Sequence, residues 1–335
     1  MRTIETDSYS VKMRERGVDR AERRILISDL RDSEQAEDLS EPLNGGGYGR
    51  VRHFRRETAA GWPDNPLPID PAARALGLER PRTLRAQVFQ NAVCNWRCWY
   101  CYVDFPLLSG NSDRSAMFSA AELLDLYEAE PDPPAVLDLS GGQPDLVPEW
   151  VVWVAEEIDQ RGLSERLYLW SDDNLSNDYF WTRLDDKERA VLAERPGYGK
   201  VCCFKGFDET SFAFNTSAAP ELFTRQFELF ERLLRETDID LYAYATFTAP
   251  SDQRLPAAIT EFVDALQEID ANLPLRLIPL RVEAFSPVHA RMKPDHHRAL
   301  AVQDEAIVAW STELSTRFLP TAIELPITDV ELRLA

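Results

Sequence analysis

The chain has 335 residues, of which 37 are lysine or arginine and 57 are aspartate or glutamate, giving a formal net charge of −20. This acidity argues against non-specific binding to DNA, RNA or anionic lipid, because all three are negatively charged. No run of 18 apolar residues is present, so we expect no membrane span. We also expect no signal peptide, and the clustered cysteines without a disulfide framework favour a reducing cytoplasm.

Residues 1–80 are predicted as an N-terminal extension, because their hydrophobic residues show no sustained period. Residues 1–60 hold twelve basic and twelve acidic side chains, so the negative charge lies in the remainder of the chain. A glycine-rich turn at 44–49 precedes an arginine-rich stretch, for which two interpretations stay open. Either the segment is a lid in which Arg50, Arg52 or Arg55 holds an anionic group of a substrate, or the arginines form a solvated strand.

From residue 83 onward, short β-prone runs alternate with amphipathic helical patterns. Strands are predicted over 83–89, 135–139, 167–170, 200–204, 241–248 and 275–280. Helices are predicted between them, the first opening with a capping box at Ser119, and a last helix is predicted over 295–317. This alternation predicts an α/β fold with a parallel sheet, whose functional sites lie at the carboxyl ends of the strands. Inward-facing polar residues of the fifth strand, such as Tyr244 and Thr246, could bind a substrate there.

Three of the five cysteines, Cys94, Cys98 and Cys101, lie within eight residues that closely follow the first of these strands, with the spacing C-x3-C-x2-C. Thiolates suit iron–sulfur clusters and zinc. A zinc ribbon would need a second ligand pair at matching spacing, whereas Cys202 and Cys203 are adjacent and would point to opposite faces of a strand. Three thiolates are one short of the four that close an ordinary cubane, so the motif indicates a cluster with one open iron.

This motif, with Tyr100 as the aromatic residue before its last cysteine, resembles the signature of the radical S-adenosylmethionine (SAM) enzymes. The resemblance implies a [4Fe-4S] cluster held by Cys94, Cys98 and Cys101, with SAM chelated to the open iron. It implies that an electron, from a donor such as flavodoxin or ferredoxin, cleaves SAM reductively to a 5′-deoxyadenosyl radical, which abstracts hydrogen from the substrate. It also implies a partial (β/α)6 TIM-like barrel over 81–290, followed by a C-terminal helix and tail over 291–335.

Segments after further strands resemble positions that contact SAM in that family. The segment 140–143 resembles a glycine-glycine-glutamate motif that binds the methionine amino group, with Gln143 in place of the glutamate. A glutamine keeps a carbonyl acceptor but lacks the charge. The competing interpretations are a plain strand–helix turn at 140–143 and a polar helix cap at 171–174. The residues that the resemblance assigns to SAM binding are Tyr100, Ser140, Gly141, Gly142, Gln143, Ser171, Asn174 and Lys205.

The resemblance is silent on the substrate, and no catalytic residue is assigned. A small-molecule substrate is favoured, because peptide-modifying members often carry further cysteines for auxiliary clusters and none follows Cys203 here. Activation of a glycyl radical enzyme is disfavoured, because 93 residues precede the first motif cysteine, whereas such activating enzymes carry little sequence there. A non-catalytic iron–sulfur or zinc protein is the alternative from a different class.

Overall fold

The structure, a computed structural model, describes residues 3–332 of the chain. Its elements up to the cysteine motif are α1 (Thr6–Gly17), β1 (Val18–Asp19), β2 (Arg24–Ser28), β3 (Gly49–Arg55), α2 (Ile69–Leu76) and β4 (Thr83–Phe89). The following elements are β5 (Ser115–Ser119), α3 (Ala120–Glu128), β6 (Val136–Leu139), α4 (Glu149–Gln160), β7 (Tyr168–Asp173), α5 (Tyr179–Thr182), α6 (Asp186–Ala193) and β8 (Tyr198–Phe204). The remainder comprises α7 (Glu209–Thr216), α8 (Leu222–Glu236), β9 (Asp240–Thr246), α9 (Leu255–Ile269), β10 (Leu277–Leu280), α10 (Ser286–His289), α11 (Pro294–Arg317) and α12 (Pro320–Ile323).

Seven strands form the main sheet in the order β10-β9-β8-β7-β6-β4-β3. The neighbours from β4 to β10 are parallel, and β3 pairs antiparallel with β4 along its whole length. Each parallel crossover moves one strand further in the same direction, so the right-handed rule places the connecting helices on one face. This is the winding of a TIM-like barrel that has not closed. The predicted α/β class with a largely parallel sheet is therefore confirmed.

The two faces of this sheet pack against different partners. We call the face that carries Leu137, Leu169 and Phe204 the helix face, because these residues share one core with α3, α4, α8, α9 and α11. We call the opposite face the inner face, where Trp170 and Tyr242 pack with residues of α2. Alternate residues of each strand therefore face helices or the barrel interior. Cys202 lies in the helix-face core and Cys203 on the inner face, which confirms that the two thiols point apart.

The N-terminal segment differs from its prediction, because it is built into the barrel. β3 is the edge strand of the main sheet, and β1 and β2 form a small antiparallel sheet with β5. α1 packs on the cysteine loop, where Trp96 Nε1 donates to Thr6 Oγ1 at 3.1 Å and Asn95 Nδ2 donates to Ser10 Oγ at 2.9 Å. A boundary at residue 80 would cut through the sheet, because β3 pairs with β4 along its whole length.

The six predicted strands correspond to β4 and β6 to β10, with ends displaced by up to three residues. The predicted C-terminal helix is α11. Within residues 3–332, none of the helices combines the length and apolar character needed to cross a bilayer.

Candidate active site

The cysteine motif lies in a loop that leaves the carboxyl end of β4. Backbone bonds hold this loop in place: Cys94 N donates to Leu108 O at 3.0 Å, and Gln143 N, after β6, donates to Val93 O at 2.8 Å. Asn91 Nδ2 donates to Gln143 O at 2.9 Å, which completes the link between the two strand ends. The loop is therefore fixed at the edge of the sheet where parallel α/β folds place their sites.

The three thiols of the motif are free and close enough to influence one another. Cys94 is buried, whereas Cys98 and Cys101 are half-buried. Burial raises the pKa of Cys94, and it raises the pKa of Cys98 to about 12, with the negative charges of Cys101 and Cys94 adding to the effect. A metal would be needed to keep such thiols deprotonated, because a coordinated thiol loses its proton outright.

Cationic side chains surround these thiols. The positive charge of Arg97 opposes the rise in the pKa of Cys94, and that of Lys205 opposes the rise in the pKa of Cys98. The Arg291 guanidinium is hydrogen-bonded to the backbone oxygen of Cys101. Each cysteine thus has one cation nearby, which favours thiolates and an anionic group bound between them. In residues 3–332, no three His, Cys, Asp or Glu side chains are oriented so that they could hold a metal ion together.

The structure explains why the two positions after Ser140 are occupied by glycine, which the sequence alone does not reveal. Gly142 has φ +67°, and a Cβ placed on it would lie 2.4 Å from Val93 O and 2.6 Å from Asn91 O. Gly141 has φ +79°, and its Cβ would meet the side chain of Gln90. The glycines therefore allow the turn after β6 to pack tightly against the cysteine loop, whether or not they also contact SAM.

Three of the predicted SAM contacts are already engaged within the protein. Gln143 Nε2 donates to Asp173 Oδ1 at 2.8 Å, and its Oε1 accepts from Asn174 N at 2.9 Å. Ser171 faces helices rather than the interior, and its hydroxyl is hydrogen-bonded to Tyr198 OH at 2.8 Å. Asn174 Nδ2 lies 4.0 Å from Cys94 Sγ, so this amide borders the cysteine motif.

The other predicted residues gather at the carboxyl end of the inner face. Tyr100 OH is hydrogen-bonded to Thr246 Oγ1 at 2.9 Å, and both lie near Lys205, whose charge interacts with Tyr100, Cys98 and Cys203. Ser140 is buried after the end of β6, and its hydroxyl interacts with the Asp138 carboxylate. The structure thus brings Tyr100 and Lys205 together beside Cys98.

Two carboxylates at this edge were missed by the sequence analysis. Asp138 near the end of β6 and Asp172 near the end of β7 share the parity of the inner-face residues Val136 and Trp170. Burial raises the pKa of Asp138, and it raises the pKa of Asp172 to about 7, with the charge of Asp138 adding to the effect. The signal that could have found them is the period-2 alternation of each strand, continued to its carboxyl end.

Arg50 and Arg52 of β3 face the same interior, whereas Arg55 is exposed on the other side of the strand. Arg50 Nη2 donates to Tyr102 OH at 2.9 Å, and Arg52 Nη1 lies 3.4 Å from Asp138 Oδ2. Two of the three arginines considered from the sequence therefore belong to the site.

No family model matches this chain, and no curated protein matches it. Among solved structures, it is similar to SuiB of Streptococcus suis bound to S-adenosylmethionine, with 15% identity over 53% of this chain and 36% of that chain and a TM-score of 0.38. SuiB bound to precursor peptide SuiA has 16% identity over 53% of this chain and 35% of that chain, with a TM-score of 0.37. A third similar structure is the radical S-adenosylmethionine methyltransferase TsrM of Kitasatospora setae, with cobalamin and a [4Fe-4S] cluster bound. It has 20% identity over 58% of this chain and 37% of that chain, with a TM-score of 0.39. The match spans little more than a third of the length of those proteins.

Proposed function

We propose that this chain is a radical SAM enzyme that binds one [4Fe-4S] cluster through Cys94, Cys98 and Cys101 and acts on a small-molecule substrate. The observation that carries the proposal is the position of the C-x3-C-x2-C loop. It leaves the first parallel strand at the carboxyl edge of the sheet, next to a polar, cationic barrel interior. When bound, the cluster and SAM would together supply a reducing electron and the 5′-deoxyadenosyl radical that abstracts hydrogen.

The residues around the loop fit an iron–sulfur group in chemistry and charge. The three thiols provide soft ligands, and Arg97, Lys205 and Arg291 stand near them to offset negative charge. The motif supplies three thiolates, one fewer than the four that close an ordinary cubane, so one position on the cluster is left for SAM.

The chain's own residues would orient both groups. The charge of Lys205 acts on both Cys98 and Tyr100, so it can pair with the SAM carboxylate. Asn174 presents its amide to Cys94, where an N–H donor would stabilise the thiolate. Tyr100, tied to Thr246 on β9, would keep the loop against the barrel mouth and exclude water from it.

Iron and sulfide analysis of the anaerobically reconstituted chain tests the proposal. We expect about four iron and four sulfide per chain, and an electron-spin signal of the reduced cluster that changes when SAM is added. Cys94→Ala, Cys98→Ala and Cys101→Ala should each lose the cluster. The matched control is the Cys202→Ala, Cys203→Ala double variant, which should keep it.

Three results would contradict the proposal in different ways. About eight iron and sulfide per chain would mean a second cluster. A spin signal that SAM leaves unchanged would favour a non-catalytic iron–sulfur protein. Loss of cluster absorbance in the Cys202, Cys203 double variant would mean that the ligand set is wrong.

A further inference from the structure

The carboxyl end of the inner face carries an excess of positive charge in a strongly acidic protein. Arg50 and Arg52 of β3 and Lys205 after β8 contribute three cations, whereas Asp138 and Asp172 contribute two carboxylates. The whole chain has a formal net charge of −20. A local cationic site inside such a protein concentrates anions against the overall field.

Burial also reduces the negative charge that the two carboxylates contribute. The raised pKa values of Asp138 and Asp172 mean that burial disfavours their charged forms, and Asp172 titrates at about 7. When Lys205 pairs with SAM, Arg50 and Arg52 face Asp138 and Asp172, and protonation of Asp172 then leaves one positive charge uncompensated. A monoanionic ligand would balance that charge.

The Arg52 guanidinium has hydrogen-bonding capacity to spare. Its side chain is 30% accessible, and its one hydrogen bond within residues 3–332 is the 3.4 Å contact of Nη1 with Asp138 Oδ2. A good charge-assisted bond would be about 2.7–2.9 Å long, and a guanidinium carries five N–H donors. The Arg52 Cζ atom lies 4.1 Å from the centre of the Phe54 ring, so stacking orients the fork.

A neighbouring buried donor is also without a partner. Arg50 is 4% exposed, and its Nε makes no hydrogen bond within the described residues. Asp138 is fully buried, and its carboxylate interacts with the Ser140 hydroxyl and the Arg52 guanidinium. Unsatisfied buried polar atoms are rare in native proteins, and a free donor beside a cationic fork is typical of a site that awaits a polar ligand.

We propose that this cluster binds the carboxylate of a small-molecule substrate, with Arg52 as its bidentate partner, Arg50 as a second cation and Asp172 bonded to a neighbouring polar group. The inference rests on the proposed function only in calling this ligand a substrate. SAM also has a carboxylate, and it is the other source of the same chemistry. The charge of Lys205 acts on Cys98, which makes Lys205 the proposed partner for SAM, so the two carboxylates would occupy different cations.

Equilibrium dialysis of the reconstituted full chain, with and without saturating SAM, tests this assignment. The probe is a defined library of small monocarboxylates, the primary amide of each, and phosphate monoesters, with retention measured by mass spectrometry. We expect the wild type to retain at least one monocarboxylate but not its amide. Arg52→Gln should weaken that retention by about tenfold or more, because a charge-assisted pair is lost. Arg52→Lys keeps the positive charge facing Asp138 but loses the planar guanidinium. Its carboxylate retention should lie between that of the wild type and that of Arg52→Gln.

Arg55→Gln is the matched control, since Arg55 lies on the same strand but is exposed on the opposite side. It should retain the carboxylate as the wild type does. Retention of no monocarboxylate, equal retention of the amides, or a preference for phosphate monoesters would overturn the inference. A tenfold loss of SAM affinity in Arg52→Gln would assign Arg52 to the cofactor instead. Iron and sulfide content of the same samples reports separately on the proposed function.

The affinity should also depend on pH through Asp172. A bound anion favours the protonated form of Asp172, so retention should fall as the pH rises through about 7. Asp172→Asn should retain the carboxylate with a flattened pH profile, and an unchanged profile would remove Asp172 from the site. The charged and titratable groups that face Asp172 are Arg50, Arg52, Asp138, Cys203, Lys205 and Tyr244.

Discussion

Two buried charge clusters lie on opposite faces of the same sheet, and they are built differently. On the helix face, Lys200 Nζ is hydrogen-bonded to Asp145 Oδ2 and lies 3.7 Å from Asp173 Oδ2. Asp173 Oδ1 also accepts from Gln143 Nε2 and from Leu175 N, each at 2.8 Å. Lys200 has a short, charged partner in Asp145, Asp173 is held by two further donors, and Lys200 is only 1% exposed.

The cluster on the inner face is open by contrast. Arg52 reaches Asp138 only at 3.4 Å, and Arg50 Nε has no hydrogen-bond partner within residues 3–332. The difference shows that burial of charge serves two purposes in one sheet. The closed cluster ties the end of β7 to β8 and to the turn after β6, whereas the open cluster keeps hydrogen-bond donors free for a ligand.

Breaking the closed cluster should have the largest effect on stability. Lys200→Met leaves Asp145 and Asp173 buried without their cation, which costs about 3–5 kcal/mol in the free energy of unfolding. Urea denaturation at pH 8 measures it. The loss should shrink at pH 5, because an unpaired buried carboxyl has a raised pKa in the folded state and can take up a proton there.

The control for this variant is Arg82→Met, which breaks the exposed pair with Glu57, whose side chains are 88% and 73% accessible. It should change stability by less than about 1 kcal/mol, because exposed ion pairs contribute little. Equal effects of the two substitutions would show that the helix-face cluster does not stabilise the strand ends.

Gly142→Val should have the next largest effect on stability. It distinguishes a glycine needed for SAM binding from one needed for packing against the cysteine loop. If Gly142 only made the SAM contact that the resemblance assigns to it, a side chain there would block SAM and leave the cluster in place. In the structure, its Cβ would instead meet the backbone oxygens of Val93 and Asn91. We therefore expect loss of iron together with SAM affinity, and a stability cost above the roughly 1–3 kcal/mol of backbone strain alone.

Gly162→Val is the matched control, because Gly162 has φ +65° but open space where a Cβ would stand. It carries the same kind of strain without the contact, so it should lose about 1–3 kcal/mol and keep its iron. If Gly142→Val keeps full iron content while SAM no longer binds, Gly142 serves SAM binding and is not needed to hold the cysteine loop.

The sequence predicted the strands of the sheet well, because period-2 apolar runs and helical faces are local signals. It failed for β3, whose arginines resemble a solvated run until β4 pairs with them and turns Arg50 and Arg52 inward. It also failed for Asp138 and Asp172, because which parity faces the interior depends on the whole sheet. The cysteine motif was visible because its spacing lies within one loop.

Ser171→Ala should have the smallest effect, and it tests which face of β7 serves the site. The sequence assigned Ser171 to SAM, but the structure places its hydroxyl on the helix face, 2.8 Å from Tyr198 OH. The substitution removes one buried hydrogen bond, so it should cost about 1 kcal/mol of stability and leave SAM affinity within about twofold. Asn174→Ala, at the end of the same strand but bordering Cys94, should change the reduction potential of the cluster instead. A tenfold loss of SAM affinity in Ser171→Ala would return this hydroxyl to the cofactor site and reverse the assignment of the two faces at β7.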